Sequence, residues 1–165
     1  PQAPSSPLDN KDDEPLVVDF HKQLSDESVY LRYFYSASFD FRVSHERLAR
    51  ICFVDYDREI ATVVLSQQEN PEMLAVGRII KLSHSNKAEF ALSIRDDYQS
   101  KGLGSKIMKH LIAIAKKEGV GELVADILNE NSGMKRVCQK FGFSLKYNRE
   151  EGVVKASLPL HDFEI

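Results

Sequence analysis

The first third of the chain has the hydrophobic pattern of short helices. Across residues 12–24, apolar side chains recur at the spacing of a helix that is buried on one face. Ser25 is a residue type that caps helices, so a second helix is predicted over residues 26–34. Residues 35–43 predict a loop, and a third short helix is predicted over residues 45–51.

The middle of the chain has the pattern of three strands. β-Branched and other apolar residues fill residues 60–65, 73–82 and 88–94, and polar or turn-forming residues separate these runs. Because the connections are short, the three strands are expected to form an antiparallel meander. Gly77 lies inside the second run and predicts a bulge there.

The second half of the chain alternates helices with strands. A wide apolar stripe predicts a long helix after Gly104, followed by a buried strand at 123–128, a helix at 132–141 and a hairpin over 143–158. A helical crossover joins the strands at 88–94 and 123–128, so these two should be parallel. The fold class is therefore α/β (α+β), with a mixed, mostly antiparallel sheet and helices on both faces.

Composition and charge limit the possible functions. The chain has 165 residues, is 42% apolar and 28% charged, and carries a net charge of −3, which gives no case for nucleic acid or an anionic membrane surface as a partner. Cys52 and Cys138 are far apart and show no ligand spacing with the five histidines, so reduced thiols, a cytoplasmic location and no metal are expected.

The composition of residues 1–11 predicts a flexible tail or linker, and residues 12–165 are predicted to form a single domain.

A glycine-containing turn follows the strand at residues 88–94 and begins the longest predicted helix. Gly102 and Gly104 permit a sharp turn and a close approach by another molecule. The first turn of a helix also presents unpaired N–H groups at the positive end of the dipole, so the turn predicts a phosphate or pyrophosphate site. The spacing is neither that of a nucleotide-triphosphate P-loop nor that of a dinucleotide fingerprint, and a turn that serves only packing is the alternative.

Three motifs follow one another along the second half of the chain. They are Gln99-x-x-Gly102-x-Gly104, Asn131 and Phe141-Gly142-Phe143. In this order they resemble the GNAT superfamily of acyl-CoA-dependent N-acyltransferases, over about residues 12–158. Residues 28–34, 55–59 and 88–91 resemble, more narrowly, the acetyltransferase domain of bacterial protein-lysine acetyltransferases that act on acyl-CoA synthetases. The resemblance implies a splayed central parallel pair of strands, acetyl-CoA as co-substrate, and frequent fusion to a further domain, which the linker-like N-terminus fits.

The resemblance also implies where the cofactor binds. The strand before the glycine turn would hold the pantetheine arm through the main-chain groups of Leu92, Ser93 and Ile94. The turn would hold the diphosphate through the backbone amides of Gln99, Ser100, Lys101, Gly102, Leu103, Gly104 and Ser105. Lys101 either adds charge near the phosphates or is simply solvated. Asn131 is either a cofactor contact or the N-cap of the next helix.

Glu89 is the candidate catalytic residue. It interrupts an apolar strand, so it is either a solvated residue at a sheet edge or a buried group with a raised pKa. A lysine ammonium has no free electron pair, so transfer to it needs a base. In the resembling enzymes a glutamate at this place is the base, with a purely structural glutamate as the alternative. Where many members have a tyrosine acid, this chain has Cys138; core packing is the alternative, and the acid is left unassigned.

The predicted function is acetyl transfer from acetyl-CoA to a lysine of a protein such as an acyl-CoA synthetase, by direct attack of the amine. A small-molecule amine acetyltransferase and a non-catalytic acyl-CoA-sensing module remain alternatives. Tyr30, Tyr33 and Phe34 are expected to pack in the core of the N-terminal helices rather than form a substrate wall. Acidic residues that could steer a lysine, or could simply be solvated, are Asp26, Glu27, Asp55, Asp57 and Glu59.

Overall fold

The computed structural model describes residues 5–7, 13–34, 39–44 and 58–161. The strands in these ranges are β1 (Ser5–Pro7), β2 (Glu59–Leu65), β3 (Met73–Lys81), β4 (Lys87–Ile94), β5 (Glu122–Leu128), β6 (Ser144–Asn148) and β7 (Val153–Pro159). The helices are α1 (Glu14–Lys22), α2 (Asp26–Tyr33), α3 (Phe39–Arg42), α4 (Leu103–Lys117) and α5 (Ser132–Lys140). Among the helices described, none is long and apolar enough to cross a bilayer.

The strands form one sheet in the order β1-β2-β3-β4-β5-β7-β6. The pairs on either side of the centre are antiparallel, and β4 and β5 form a central parallel pair. Helix α4 is the crossover between these two strands, as the sequence predicted. The predicted fold class, a mixed and mostly antiparallel sheet with one parallel pair, is confirmed.

Helices cover both faces of the sheet and define two cores. Helices α4 and α5 close the larger core, in which Ile107, Leu111 and Cys138 are completely buried. Helices α1 and α2 cover part of the opposite face around a smaller core that contains Phe20 and Val29. The separation follows from the strands, because successive side chains point to opposite faces of the sheet.

The predicted cap of α2 is present, and local residue types also explain an end of α1 and of α4. The Ser25 side chain accepts a hydrogen bond from the Ser28 N–H and caps α2. Pro15 lies in the first turn of α1, where no intrahelical N–H is needed. Gly119 follows α4 with a φ of 72°, a left-handed conformation that glycine adopts without strain.

Three stretches differ from the sequence prediction or lie beyond it. Within the predicted tail, Ser5–Pro7 pairs with β2 as an edge strand, a position in which proline is tolerated. The predicted loop at residues 35–43 contains the four-residue helix α3, which is too short to show a hydrophobic period. The predicted helix at residues 45–51 lies outside the described residues.

Gly77 was predicted to mark a bulge, and this prediction is wrong. Gly77 pairs regularly with Thr62 in the β2–β3 ladder, and the register shift of that ladder lies between Val64 and Leu65. A Cβ atom on Gly77 would lie 2.6 Å from Cγ2 of Ile107. The missing side chain therefore allows α4 to pack closely on the centre of the sheet.

Candidate functional site

The parallel strands β4 and β5 pair over only part of their length. Their ladder consists of Lys87–Glu122, Ala88–Leu123 and Glu89–Val124. Beyond Glu89, strand β4 continues for five residues to Ile94 along its antiparallel partner β3, while β5 diverges from it. The splayed parallel pair implied by the family resemblance is therefore present, and it opens a wedge beside the main chain of residues 90–94.

The wedge opens into a cleft of about 980 Å³. One wall is helix α2 with its C-cap residue, which contribute Glu27, Arg32 and Phe34. A second wall is the glycine turn, and the diverging part of β4 and β5 lies between them. Strand β4 also lines the cleft with every residue from Glu89 to Ile94, so the predicted pantetheine strand and the predicted base face one space.

The glycine turn has the geometry of an anion site. Ser100 and Gly102 both have left-handed backbone conformations, with φ values of 58° and 86°. Gly102 is the N-cap of α4 and no side chain caps this helix. The first N–H groups of a helix have no partner inside it, and the positive end of the α4 dipole lies at the same point. Gly102, Gly104 and Ser105 line the cleft, so these N–H groups can receive an anion there.

The two glycines of the turn have different physical roles. A Cβ atom on Gly102 would meet nothing within 4 Å, so glycine is favoured at this position by the positive φ and not by lack of space. A Cβ atom on Gly104 would lie 3.2 Å from Cγ2 of Val137 and 3.4 Å from Cδ1 of Ile94. Gly104 therefore permits the start of α4 to pack against α5 and β4, which is the packing role that the sequence left as an alternative.

The predicted turn residues are not equivalent. Gln99 lines the cleft, but its N–H donates to the Asp96 carbonyl at 3.3 Å, so that amide already has a partner. The Leu103 side chain is buried in the larger core. The Lys101 ammonium lies 5.1 Å from the centre of the Tyr98 ring, which is a cation–π contact outside the lining of the cleft.

Two cations that the sequence did not single out line the cleft. Arg136 and Lys140 belong to α5, and Nζ of Lys140 donates to the Ser105 hydroxyl at 3.3 Å. This contact brings a positive charge to the uncapped N-terminus of α4, across 35 residues of sequence. The sequence signal was only a basic residue in the last turn of α5, which alone indicates a favourable helix-dipole interaction.

Glu89 lies at the point where the parallel strands part. It forms the last pair of the β4–β5 ladder, with Val124. Its side chain is exposed and points away from the buried Phe90, toward the face that α2 partly covers. The sequence alternative of a solvated carboxylate is correct as to exposure, but β4 is a central strand and not a sheet edge, and the alternative of a buried carboxylate is wrong.

Asn131 and Cys138 differ in their access to the cleft. The Asn131 side chain accepts a hydrogen bond from the Met134 N–H at 3.1 Å, so it is the N-cap of α5, and it also lines the cleft. Cys138 is completely buried in the larger core, and burial raises the pKa of its thiol to about 12. A thiol in this position packs the core and has no access to a leaving group in the cleft.

Tyr30 and Phe34 contradict the prediction that the aromatic residues of the N-terminal helices are core residues. Tyr30 is 39% exposed and Phe34 is 37% exposed, while Tyr33 packs partly against the smaller core. Tyr33 and Phe34 line the cleft. The hydrophobic pattern could not separate a core face from a cleft wall, because both require apolar side chains.

The acidic residues proposed to steer a lysine have different positions. Glu27 lines the cleft and Asp26 is exposed beside it, at the start of α2. Glu59 forms an ion pair with Arg78, and both line a smaller adjoining cavity of about 140 Å³. Asp55 and Asp57 lie outside the described residues. Within the described part of the chain, His, Cys, Asp and Glu form no group of three or more that could hold a metal ion.

Comparison with known proteins identifies the family. Residues 6–144 match the family model described as an acetyltransferase (GNAT) domain. Acetyltransferase PA5475 of Pseudomonas aeruginosa is 31% identical over 98 residues, which are 58% of this chain and 52% of that protein. The chain belongs to the GNAT acetyltransferase family, which confirms the resemblance found in the sequence. It spans about half the length of this curated relative.

Solved structures have the same fold. The GNAT domain of S. lividans PAT superposes with a TM-score of 0.81 at 26% identity, over 94% of this chain and 89% of that one. The acetyltransferase yncA of Salmonella typhimurium, whose structure contains its cofactor acetyl-CoA, gives a TM-score of 0.67 at 17% identity, over 98% of this chain and 96% of that one. At this lower identity the likeness concerns the fold alone.

Proposed function

We propose that the chain transfers the acetyl group of acetyl-CoA to the side-chain amine of a lysine on a protein acceptor, with Glu89 as general base. The observation that carries the proposal is the single cleft that contains both an exposed carboxylate at the apex of the β4–β5 wedge and the uncapped N-terminus of α4. The first group suits deprotonation of an amine, and the second suits binding of a diphosphate.

Acetyl-CoA would extend along the open half of β4. Main-chain groups of Leu92, Ser93 and Ile94 line the wedge and would hydrogen-bond the pantetheine arm. The diphosphate would accept hydrogen bonds from the N–H groups at the start of α4, beside Gly102. Lys140 supports the same placement, because its ammonium contacts Ser105 in the first turn of that helix.

The chemistry follows from the positions of the groups. Glu89 would take a proton from the lysine ammonium, directly or through water, and free the electron pair on nitrogen. The nitrogen would then attack the thioester carbon, forming the C–N bond, while a backbone N–H of β4 stabilises the oxyanion. Collapse of this intermediate breaks the C–S bond and releases the CoA thiolate, and the second proton that the nitrogen loses as it becomes an amide passes through water to that thiolate. Cys138 is not the acid for this step because it is buried away from the cleft.

Three features support a protein lysine as acceptor. Residues 28–34, 55–59 and 88–91 resemble protein-lysine acetyltransferases that act on acyl-CoA synthetases, and the fold matches the GNAT domain of S. lividans PAT. Phe34 lines the cleft and its side chain is exposed, so an acceptor can contact this wall. Glu27 on that wall has the charge that attracts a lysine. Fusion to a further domain and a cytoplasmic location stay predictions.

Acetyl-CoA binding and acceptor choice can be tested separately. Calorimetry with acetyl-CoA should give saturable binding, and its absence would contradict the proposal. Labelled acetyl-CoA is then supplied with a folded acyl-CoA synthetase, the same synthetase with its lysines reductively methylated, and a panel of polyamines and amino acids. We expect label only on the unmodified synthetase. Transfer to a small amine alone would favour the small-molecule alternative, and binding without transfer to any amine would favour the sensing module.

A further inference from the structure

A polar network joins the two walls of the cleft. The carboxylate of Asp96, in the 3₁₀ turn Asp96–Tyr98 just after β4, accepts three hydrogen bonds from the start of α2. The donors are the Ser25 N–H at 2.9 Å, the Ser25 hydroxyl at 2.6 Å and the Ser28 hydroxyl at 3.1 Å. These contacts span about 70 residues of sequence, so they are tertiary contacts that no local pattern encodes.

Gln99 extends this network into the glycine turn. Its side-chain amide donates to the Ser28 hydroxyl at 2.9 Å and to the Ile94 carbonyl at 3.1 Å. Ser28 therefore accepts from Gln99 and donates to Asp96, and each hydroxyl hydrogen in the network has an acceptor. A connected set of this kind holds its members in one arrangement more firmly than isolated pairs do.

Helix α2 is short and makes few apolar contacts with the rest of the domain. It has eight residues, fewer than the roughly 12–15 that an isolated helix needs to be stable in water. Val29 is buried in the smaller core and Tyr33 packs partly against it, so these two side chains contribute its apolar packing there. The Asp96 carboxylate lies at the N-terminus of α2, where a negative charge also stabilises the helix dipole.

We propose that Asp96 is a positioning residue that couples cofactor binding at the glycine turn to the placement of α2, the wall that meets the acceptor. The inference rests on the proposed function. Acetyl-CoA bound at the turn restricts the motion of residues 96–99. The hydrogen bonds of the network then restrict the motion of α2, and so of Glu27, Arg32 and Phe34 on the wall. Such coupling is reciprocal, so a bound acceptor also tightens acetyl-CoA binding.

Hydrogen–deuterium exchange tests the coupling without a known acceptor. Exchange of the amides of α2 is measured with and without saturating acetyl-CoA in the native chain, in Asp96→Asn and in Ser28→Ala. Asp97→Asn is the matched control, because Asp97 is the neighbouring carboxylate and pairs with Arg95 at 2.7 Å inside the turn. We expect acetyl-CoA to slow α2 exchange by about tenfold in the native chain and the control, within the usual range of allosteric coupling. This slowing should disappear in both network variants.

The outcomes separate the coupling from the proposed function. If calorimetry shows no acetyl-CoA binding to the native chain, the proposed function fails and the coupling fails with it. If acetyl-CoA binds but slows α2 exchange equally in the native chain and the network variants, only the coupling is overturned. If the network had a purely structural role, its variants would speed α2 exchange by the same factor with and without acetyl-CoA. That result would also contradict the coupling. Ser28→Ala leaves the Ser25 cap in place, so it decides the matter if Asp96→Asn does not fold.

A kinetic measurement gives a second readout. With a folded acyl-CoA synthetase as acceptor, loss of the network should raise the acceptor KM about tenfold, while KM for acetyl-CoA at low acceptor concentration stays within about twofold. A lower kcat with both KM values unchanged would assign the network to the chemical step and overturn the positioning role.

Discussion

The two faces of strand β4 differ in what their side chains do. On one face, Phe90 and Leu92 are 3% and 7% exposed and pack beneath α4. On the other face, Glu89 is exposed and Ala91 and Ser93 are half-buried in the cleft. The side chains of one alternate set therefore contribute mainly to stability and those of the other set face the acceptor side of the site, while residues of both sets line the cleft. Substitutions on the two faces should have separable effects on folding and on turnover.

The largest effect is expected on the buried face, from Phe90→Ala. The Phe90 ring packs against Phe143 with centres 5.3 Å apart, and truncation leaves a cavity between the sheet and α4. The free energy of unfolding should fall by about 3–5 kcal/mol. Denaturant unfolding followed by circular dichroism measures this. Ser93→Ala on the same strand is the control and should change stability by less than about 1 kcal/mol. Similar losses from both variants would remove the distinction between the faces.

The next effect is expected on the open face, from Glu89→Gln. Removing the base should lower turnover about a hundredfold or more, because general-base catalysis commonly contributes at least that factor. The free energy of unfolding should change by less than about 0.5 kcal/mol, since the side chain is exposed. Acetyl-CoA affinity from calorimetry should stay the same. Glu130→Gln, another exposed carboxylate of the cleft, is the control for lost charge. Unchanged turnover in Glu89→Gln would exclude Glu89 as the base.

A smaller effect is expected where α4 contacts the sheet, from Gly77→Ala. The added Cβ atom would lie 2.6 Å from Cγ2 of Ile107, which is completely buried. Overpacking of this kind should cost about 1–3 kcal/mol in the free energy of unfolding. Because Ile107→Leu removes the Cγ2 branch, the double variant Gly77→Ala with Ile107→Leu should lose less stability than the sum of the two single variants if the contact is the cause. Additive losses would place the cause in the strand backbone instead.

The smallest effect is expected at the closed end of the β4–β5 ladder. The Lys87 ammonium donates to Glu122 at 2.7 Å, and this bond, followed by the one from Ser157, lowers the pKa of the Glu122 carboxyl. A lowered pKa in the folded state stabilises the protein above the ordinary glutamate pKa, near 4.3, and the stabilisation is lost as the pH falls through the folded value. Glu122→Gln should therefore cost about 0.2–1 kcal/mol at pH 7 and less at pH 3. A cost that grows on acidification would contradict this.

The sequence was informative where a local signal and the tertiary structure agree. Ser25 predicted the cap of α2, and the helical crossover predicted that β4 and β5 are parallel. Gly102 predicted a sharp turn into a long helix, and it is the N-cap of α4 with a positive φ. The cap and the turn depend on residues close in sequence, and the parallel arrangement follows from the helical connection between two consecutive strands, so patterns along the chain can reveal all three.

The sequence was less informative where two different environments favour the same type of residue. Phe34 and Tyr30 are apolar enough for a core but are exposed beside the cleft. Gly77 has the residue type of a bulge but pairs regularly and makes room for Ile107. In each case the deciding contact comes from an element far along the chain, which a local window does not contain.

The sequence by itself determined the order of helices and strands from β2 to β7, the glycine turn at the start of α4 and an isolated carboxylate in strand β4, because these depend on hydrophobic period and residue type. Only the tertiary structure decided that β4 and β5 separate after Glu89, that Lys140 contacts the start of α4, and that Asp96 holds α2 to the turn. These three arrangements join residues about 35–70 positions apart. They form only when the sheet brings those residues together, and the contacts that result depend on distance in space rather than on spacing along the chain.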